Sequence, residues 1–210
     1  MSNVAERLAS VLQHPAISAV NFSLDGNRYD AEKLRKVGRL LASGHIRVVS
    51  ESLDGSAAGY RLDTNTLYWT INPQKSATVA NAHWLVHEAI HAVQDANRYP
   101  CTTATAEAAA YIGQVVFFVA SCADDDSEVA RTRKAAQVEQ AAAGVDQELR
   151  EMFQLIAAGS RVARSKRLYA GSHVDLRTSD VAELIHLIQL SSRYSQQAGL
   201  QFATDGISTK

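Results

Sequence analysis

The sequence predicts an α+β fold: a small antiparallel or mixed sheet in the N-terminal part, then a mostly helical second half. Two observations carry this prediction. Short runs rich in β-branched and aromatic residues, punctuated by turn residues, are concentrated before Pro73. From Ser76 onward, apolar residues recur almost without interruption at helical spacing. A chain of 210 residues suits one compact domain. Within it, residues 1 to about 123 supply the sheet and two long helices, and residues from about 124 to 210 a helical subdomain.

In chain order, the start MSNVAERLASVLQH reads as an amphipathic helix. Tyr29 to Ser43 is a second helix, with Leu34, Val37, Leu40 and Leu41 on one side and a stop at Gly44. His45–Ser50 reads as a strand. Ala58–Asp63 and Thr66–Asn72 form a hairpin around Thr64 and Asn65, closed by Pro73. Ser76 is a candidate N-cap for a helix to about Asn97, which Tyr99 and Pro100 terminate. Further helices run from about Thr103 to Cys122, from about Asp126 to Ala158, and over Thr178–Leu190. The last has Val181, Leu184, Ile185 and Ile188 as its apolar stripe. The tail from Gly199 is weakly patterned and reads as a fraying end.

Composition narrows the function classes. Hydrophobic residues make up 46% and charged residues 20%, values ordinary for a globular domain. The net charge of −1 gives no global attraction to nucleic acid or anionic lipid. Arg161 to Arg167 (RVARSKR) reads as a solvated helix end, and Asp124 to Asp126 as negative charge at a helix start. The longest uncharged stretch, Tyr99 to Ala123, is interrupted by Glu107 and holds Pro100 and Gln114, so it reads as a buried helix and its approach. Cys101 and Cys122 bracket that helix; at 1.5 Å per residue their Cα atoms would lie roughly 30 Å apart, out of disulfide reach. Free thiols and the lack of a signal sequence make the cytoplasm the default expectation, with signal-independent export as the alternative. No phosphate loop, nucleophile elbow or CxxC pair is present.

The chemistry concentrates on one helix. Val86 to Ala92 reads VHEAIHA, placing His87 and His91 one turn apart on the same helical face. Two imidazoles at that spacing can bind one metal ion. Glu88 projects beside that face, where it can act on a water the ion activates. At about 100° per residue, His83, Trp84, His87, Glu88, His91, Gln94 and Asp95 share one polar arc. Val79, Ala82, Val86, Ala89, Ile90, Val93 and Ala96 fill the opposite face. The apolar face is expected on the core and the polar arc along a surface or cleft. Three of the chain's seven histidines lie in this segment, and His83 reads as a surface histidine, with an alternative ligand or a residue at the lip of the site as the other readings.

A catalytic zinc takes three protein ligands and keeps one position open. Glu107 is the candidate third ligand, as the only charged residue between Arg98 and Asp124. A carboxylate in so apolar a helix is costly unless it is paired or bound to a cation. The alternative is an exposed first helical turn, where negative charge suits the helix dipole.

With His87, Glu88, His91 and Glu107, the chain resembles the gluzincin branch of the zincin metallopeptidases, in which an HExxH helix is followed by a Glu on a second helix. The resemblance covers about residues 45 to 120. Fifteen residues, Ala92 to Ala106, separate His91 from Glu107, fewer than in the best-known gluzincins, and Tyr111 stands where an Asp often follows the Glu. The resemblance implies a zincin-like fold, one zinc ion held by His87, His91 and Glu107, and Glu88 as general base in peptide hydrolysis. It also likens the strand Thr66–Asn72 to the edge strand that borders the substrate cleft. Tyr111, Tyr169 and His173 are candidate oxyanion donors. The expected partner is a peptide or protein substrate, with no nucleic acid and no membrane. The rival class is a non-catalytic binding or regulatory protein on the same scaffold. Glu88 argues against it, since catalysis is that residue's only evident role.

Overall fold

The computed structural model describes residues 3–51, 58–70, 79–121 and 171–191, with 194, 196–197, 199–202, 204 and 206–207. The expected Ser76 cap, the strand end at Ile71 and Asn72, Cys122, Asp124 to Asp126, the helix to Ala158, Arg161 to Arg167 and Tyr169 lie outside the described residues.

Helix α1 spans Val4–Val11 and starts in a capping box, in which Ala5 N–H donates to the Asn3 side chain and Asn3 N–H to Glu6. A 3-10 turn at Pro15–Ala19 leads into strand β1 (Asn21–Leu24). Strand β2 (Asn27–Asp30) pairs antiparallel with β1 through Asp25 and Gly26, both at positive φ (49° and 80°). That is the Asp-Gly turn whose twist matches a two-residue hairpin. The hairpin corrects the expected start of the next helix. Tyr29 is paired with Phe22 and stacks on its ring at 5.0 Å, so helix α2 begins only at Ala31 and runs to Ala42. Asp30 caps it, accepting from Lys33 N–H at 3.0 Å. Leu34, Val37, Leu40 and Leu41 are buried as the pattern required.

Strands β3 (Arg47–Val49), β4 (Ala58–Arg61) and β5 (Thr66–Trp69) form a second sheet in the order β3-β5-β4. β4 and β5 are the expected hairpin, turning through Asn65 at φ 46°. β3 pairs parallel with β5 on its other side. The likeness of Thr66–Asn72 to an edge strand is therefore corrected: β5 is central, with Leu67 and Tyr68 paired to neighbours on both sides.

Helix α3 (Val79–Asn97) and helix α4 (Thr103–Ser121) pack along one another more extensively than any other pair of elements among the described residues. Arg98 at φ 51° ends α3, and Tyr99 N–H donates to Gln94 C=O at 3.0 Å, a Schellman closure. A Cβ built on Gly113 would sit 3.0 Å from Ile90 Cγ1 and Cδ1, so the two helices meet closely there. Gly113→Leu is expected to cost about 1–3 kcal/mol through overpacking. The check is the thermal midpoint; no loss would show that the helices have room to part.

Strand β6 (Val174–Leu176) pairs parallel with β1, giving the first sheet the order β2-β1-β6. The expectation of an exclusively N-terminal sheet is corrected by this strand. The expected helix over Thr178–Leu190 is a 3-10 turn at Thr178–Val181 followed by helix α5 (Ala182–Leu190), with Leu184, Ile185 and Ile188 buried. The tail is tied down where it is described. Gln201 bridges Thr102, Phe202 N–H donates to Cys101 C=O at 2.8 Å, and Gly206 N–H to Asp95 at 2.9 Å. Among the described residues the fold is thus α+β, with two small mixed sheets, and no helix is long and apolar enough to cross a membrane. Cys101 is a free, half-buried thiol whose pKa burial pushes up to about 11.

Candidate metal centre

Helix α3 brings His87 and His91 together one turn apart, with ring centroids 5.0 Å from each other. Glu107, in the second turn of α4, faces both. His87 Nε2 lies 3.3 Å from Glu107 Oε2, and His91 Nε2 lies 3.4 Å from Glu107 Oε1. The exposed-turn alternative for Glu107 is overturned, because the residue is only 8% exposed, against 5% and 6% for the two histidines. Burial comes from α4 packing on the polar arc of α3. Of the surface or cleft expected for this arc, the open surface is excluded, since His83, Gln94 and Asp95 are also buried.

The spacing suits a metal better than a bare ion pair. Ligand atoms around a tetrahedral ion with bonds of about 2.0–2.1 Å lie about 3.3–3.4 Å apart. A charge-assisted hydrogen bond would close to about 2.7–2.9 Å. Glu107 Oε2 is buried without a hydrogen-bond partner, an orphan that a cation would satisfy. His87, His91 and Glu107 thus form a buried two-nitrogen, one-oxygen set that could hold a metal ion.

Electrostatics bind the three together. For Glu107, burial favours the neutral acid, but His91 and His87 hold its carboxyl far below the ordinary value of 4.5. Burial also opposes charge on His91. The Glu107 carboxylate, with Glu88 and Gln94, outweighs that effect and raises the pKa from 6.5 to about 9. A pH dependence follows. His91 adds stability in full below pH 6.5 and loses that contribution as pH rises through about 9. Glu107 adds stability above pH 4.5 and loses it on acidification. The pair therefore stabilises the metal-free protein most between pH 4.5 and 6.5, and the thermal midpoint should fall from pH 6.5 to 9. A ligating imidazole must be neutral, so zinc added at pH 7 in weak buffer should release about one proton per chain. Zinc uptake without proton release would show that His91 starts neutral.

Each histidine has a partner on its far side. His87 Nδ1 lies 3.0 Å from Gln114 Oε1, and His91 Nδ1 lies 2.8 Å from Gln94 Oε1. Sequence reasoning gave neither glutamine a role. Gln114 was signalled by its place in an apolar run, seven residues and two turns beyond Glu107 on the same face. The Tyr111 ring stands edge-on to His87 at 4.7 Å, with its hydroxyl 3.3 Å from that of Tyr194. Phe202 from the tail packs on His91 at 5.5 Å. His83 is corrected from a surface residue to a buried one, with Nδ1 2.7 Å from Gln114 Nε2 and its ring against Trp84 and Phe118.

Glu88 is buried on the flank of α3 that faces α2 and the second sheet. It borders a cavity of about 10 Å³ with Val37, Leu41, Tyr60 and Leu67. That is the volume of about one water. His173 sits elsewhere. Its partners are Asp175 at 3.0 Å, Asn21 at 3.2 Å and Ser23 at 3.4 Å, all beside the β1–β6 pairing.

Comparison with known proteins gives no match: no family, no curated protein and no solved structure is similar to this chain at a significant level.

Proposed function

We propose that the protein is a zinc-dependent hydrolase with a zincin-like active site, most simply a peptidase. The observation that carries this is the joint placement of His87, His91 and Glu107 at tetrahedral ligand spacing; Glu88 follows the first ligand in the chain. Zinc suits a mixed imidazole and carboxylate set. When bound, zinc would polarise a scissile carbonyl and bring the pKa of a neighbouring water towards neutrality.

The chain's own residues supply the rest. Glu88 takes the proton of the attacking water and returns it to the leaving amine. Burial of the triad keeps the surroundings poor in competing water and strengthens every charge interaction there. Of the three oxyanion candidates, Tyr111 is the one packed on a ligand; His173 belongs to the β1–β6 edge and Tyr169 lies outside the described residues. An extended peptide would pair with β4, not β5. Among the described residues β4 is an edge strand, and Tyr60 on it donates a hydrogen bond to Asp95 of α3 at 2.9 Å.

The test is incubation of the zinc-loaded protein with a mixture of unstructured peptides, read by mass spectrometry. New termini that vanish with a chelator support the peptidase. A protein that holds zinc yet cleaves nothing favours the non-catalytic binding role.

A further inference from the structure

We infer that Gln94 and Gln114 are positioning residues that fix which ring nitrogen each triad histidine turns to the metal, an inference that rests on the metal-site reading above. Gln94 is the more tightly fixed of the two, with its side chain fully buried. Its Nε2 lies 3.0 Å from the Ala106 carbonyl and 3.2 Å from the Tyr29 hydroxyl. A carbonyl can only accept, so the amide nitrogen must face Ala106. The amide oxygen then faces His91 Nδ1 at 2.8 Å and can only accept in turn. His91 Nδ1 therefore carries a hydrogen.

In the neutral ring this leaves a lone pair on Nε2, aimed at Glu107 Oε1 3.4 Å away. The Nε2 proton of the metal-free ring, or a metal that displaces it, lies between that nitrogen and the carboxylate. The Ala106 carbonyl, one residue before Glu107 on α4, thus sets the amide that sets the ring. One short stretch of α4 supplies both a ligand and the reference point for orienting another.

Gln114 occupies the same place for His87. Its Oε1 is 3.0 Å from His87 Nδ1 and its Nε2 is 2.7 Å from His83 Nδ1. This makes His83 the support for Gln114, not a further ligand. The two braces are neutral amides, so they orient the imidazoles without adding negative charge, as a carboxylate brace would. A cation bound there would be less compensated and more electrophilic.

Cobalt(II) binding by competition with a chelator tests this in the full chain, for wild type, Gln94→Met and Gln94→Glu. Imidazole nitrogen NMR of the zinc-loaded wild type accompanies it. Both histidines should show Nδ1–H and metal-bound Nε2. Gln94→Met, without the acceptor, should bind cobalt about 10- to 100-fold more weakly. Gln94→Glu keeps the acceptor but loses both donated bonds. It should unfold at lower temperature and yet bind cobalt no more weakly than wild type. A merely structural Gln94 would lower stability in both variants and leave the affinity of the folded protein unchanged, which overturns the inference. Ligation through Nδ1 of either histidine also overturns it, whether or not the variants fold. A wild type that takes up neither ion refutes the metal site itself, and this inference with it.

Discussion

Glu88→Gln is expected to remove hydrolysis while leaving the metal in place. The substitution keeps the shape of a buried side chain and takes away its ability to accept a proton. General-base catalysis contributes about 10²- to 10⁴-fold, so kcat should fall by that factor. Metal content should hold because Glu88 is not one of the three ligating groups. Its charge does add to the field around His91, so a modest weakening of metal binding is expected with the loss of activity. Peptide cleavage at saturating zinc, beside metal analysis of the same samples, separates the two effects. Wild-type turnover in Glu88→Gln would remove this residue as the base.

Glu107→Gln should do the reverse and strike the metal first. A zinc site with an apparent binding energy of roughly 10–16 kcal/mol over four ligands gives each about 2.5–4 kcal/mol, so affinity should fall by about two to three orders of magnitude. The metal-free protein carries a second signature of the same change. Glu107 is the largest influence raising the His91 pKa towards about 9. Without it, the decline of stability between pH 6.5 and 9 should flatten, because His91 then loses its proton at lower pH in the folded state. Thermal midpoints across that range, with and without zinc, check both parts. An unchanged pH profile would mean that Glu107 and His91 do not interact as their 3.4 Å separation implies.

Much of the centre is legible in the sequence because its geometry is local. Two histidines four residues apart share a helical face whatever the rest of the chain does. Glu107 stands out because a carboxylate in an apolar helix needs a partner, wherever that partner is. Gln94 and Gln114 escape such reading. An amide is ordinary in any helix, and its role depends on which residues of α3 and α4 face one another. His83 shows the same limit: periodicity gives a residue's face, not what packs on that face. The β1–β2 hairpin carried its signal in Asp25 and Gly26, but the polar Asn27 and Arg28 that follow lack a strand's apolar alternation. β6 has no local signal at all, because its partner strand lies about 150 residues earlier, as the Asn21–Gly171 hydrogen bond next to it shows. The order β3-β5-β4 is likewise set by non-local pairing, which is why β5, likened to an edge strand by the family resemblance alone, is central in the fold.

Zinc held by His87, His91 and Glu107 is the central claim of the proposed function. The most direct measurement is the metal content of the purified, tag-free protein, supplied with zinc and freed of excess, beside His87→Ala treated identically. About one zinc per chain in wild type, and little in the variant, is the predicted result. No bound metal in wild type would contradict that claim, and so would zinc retained in full by His87→Ala.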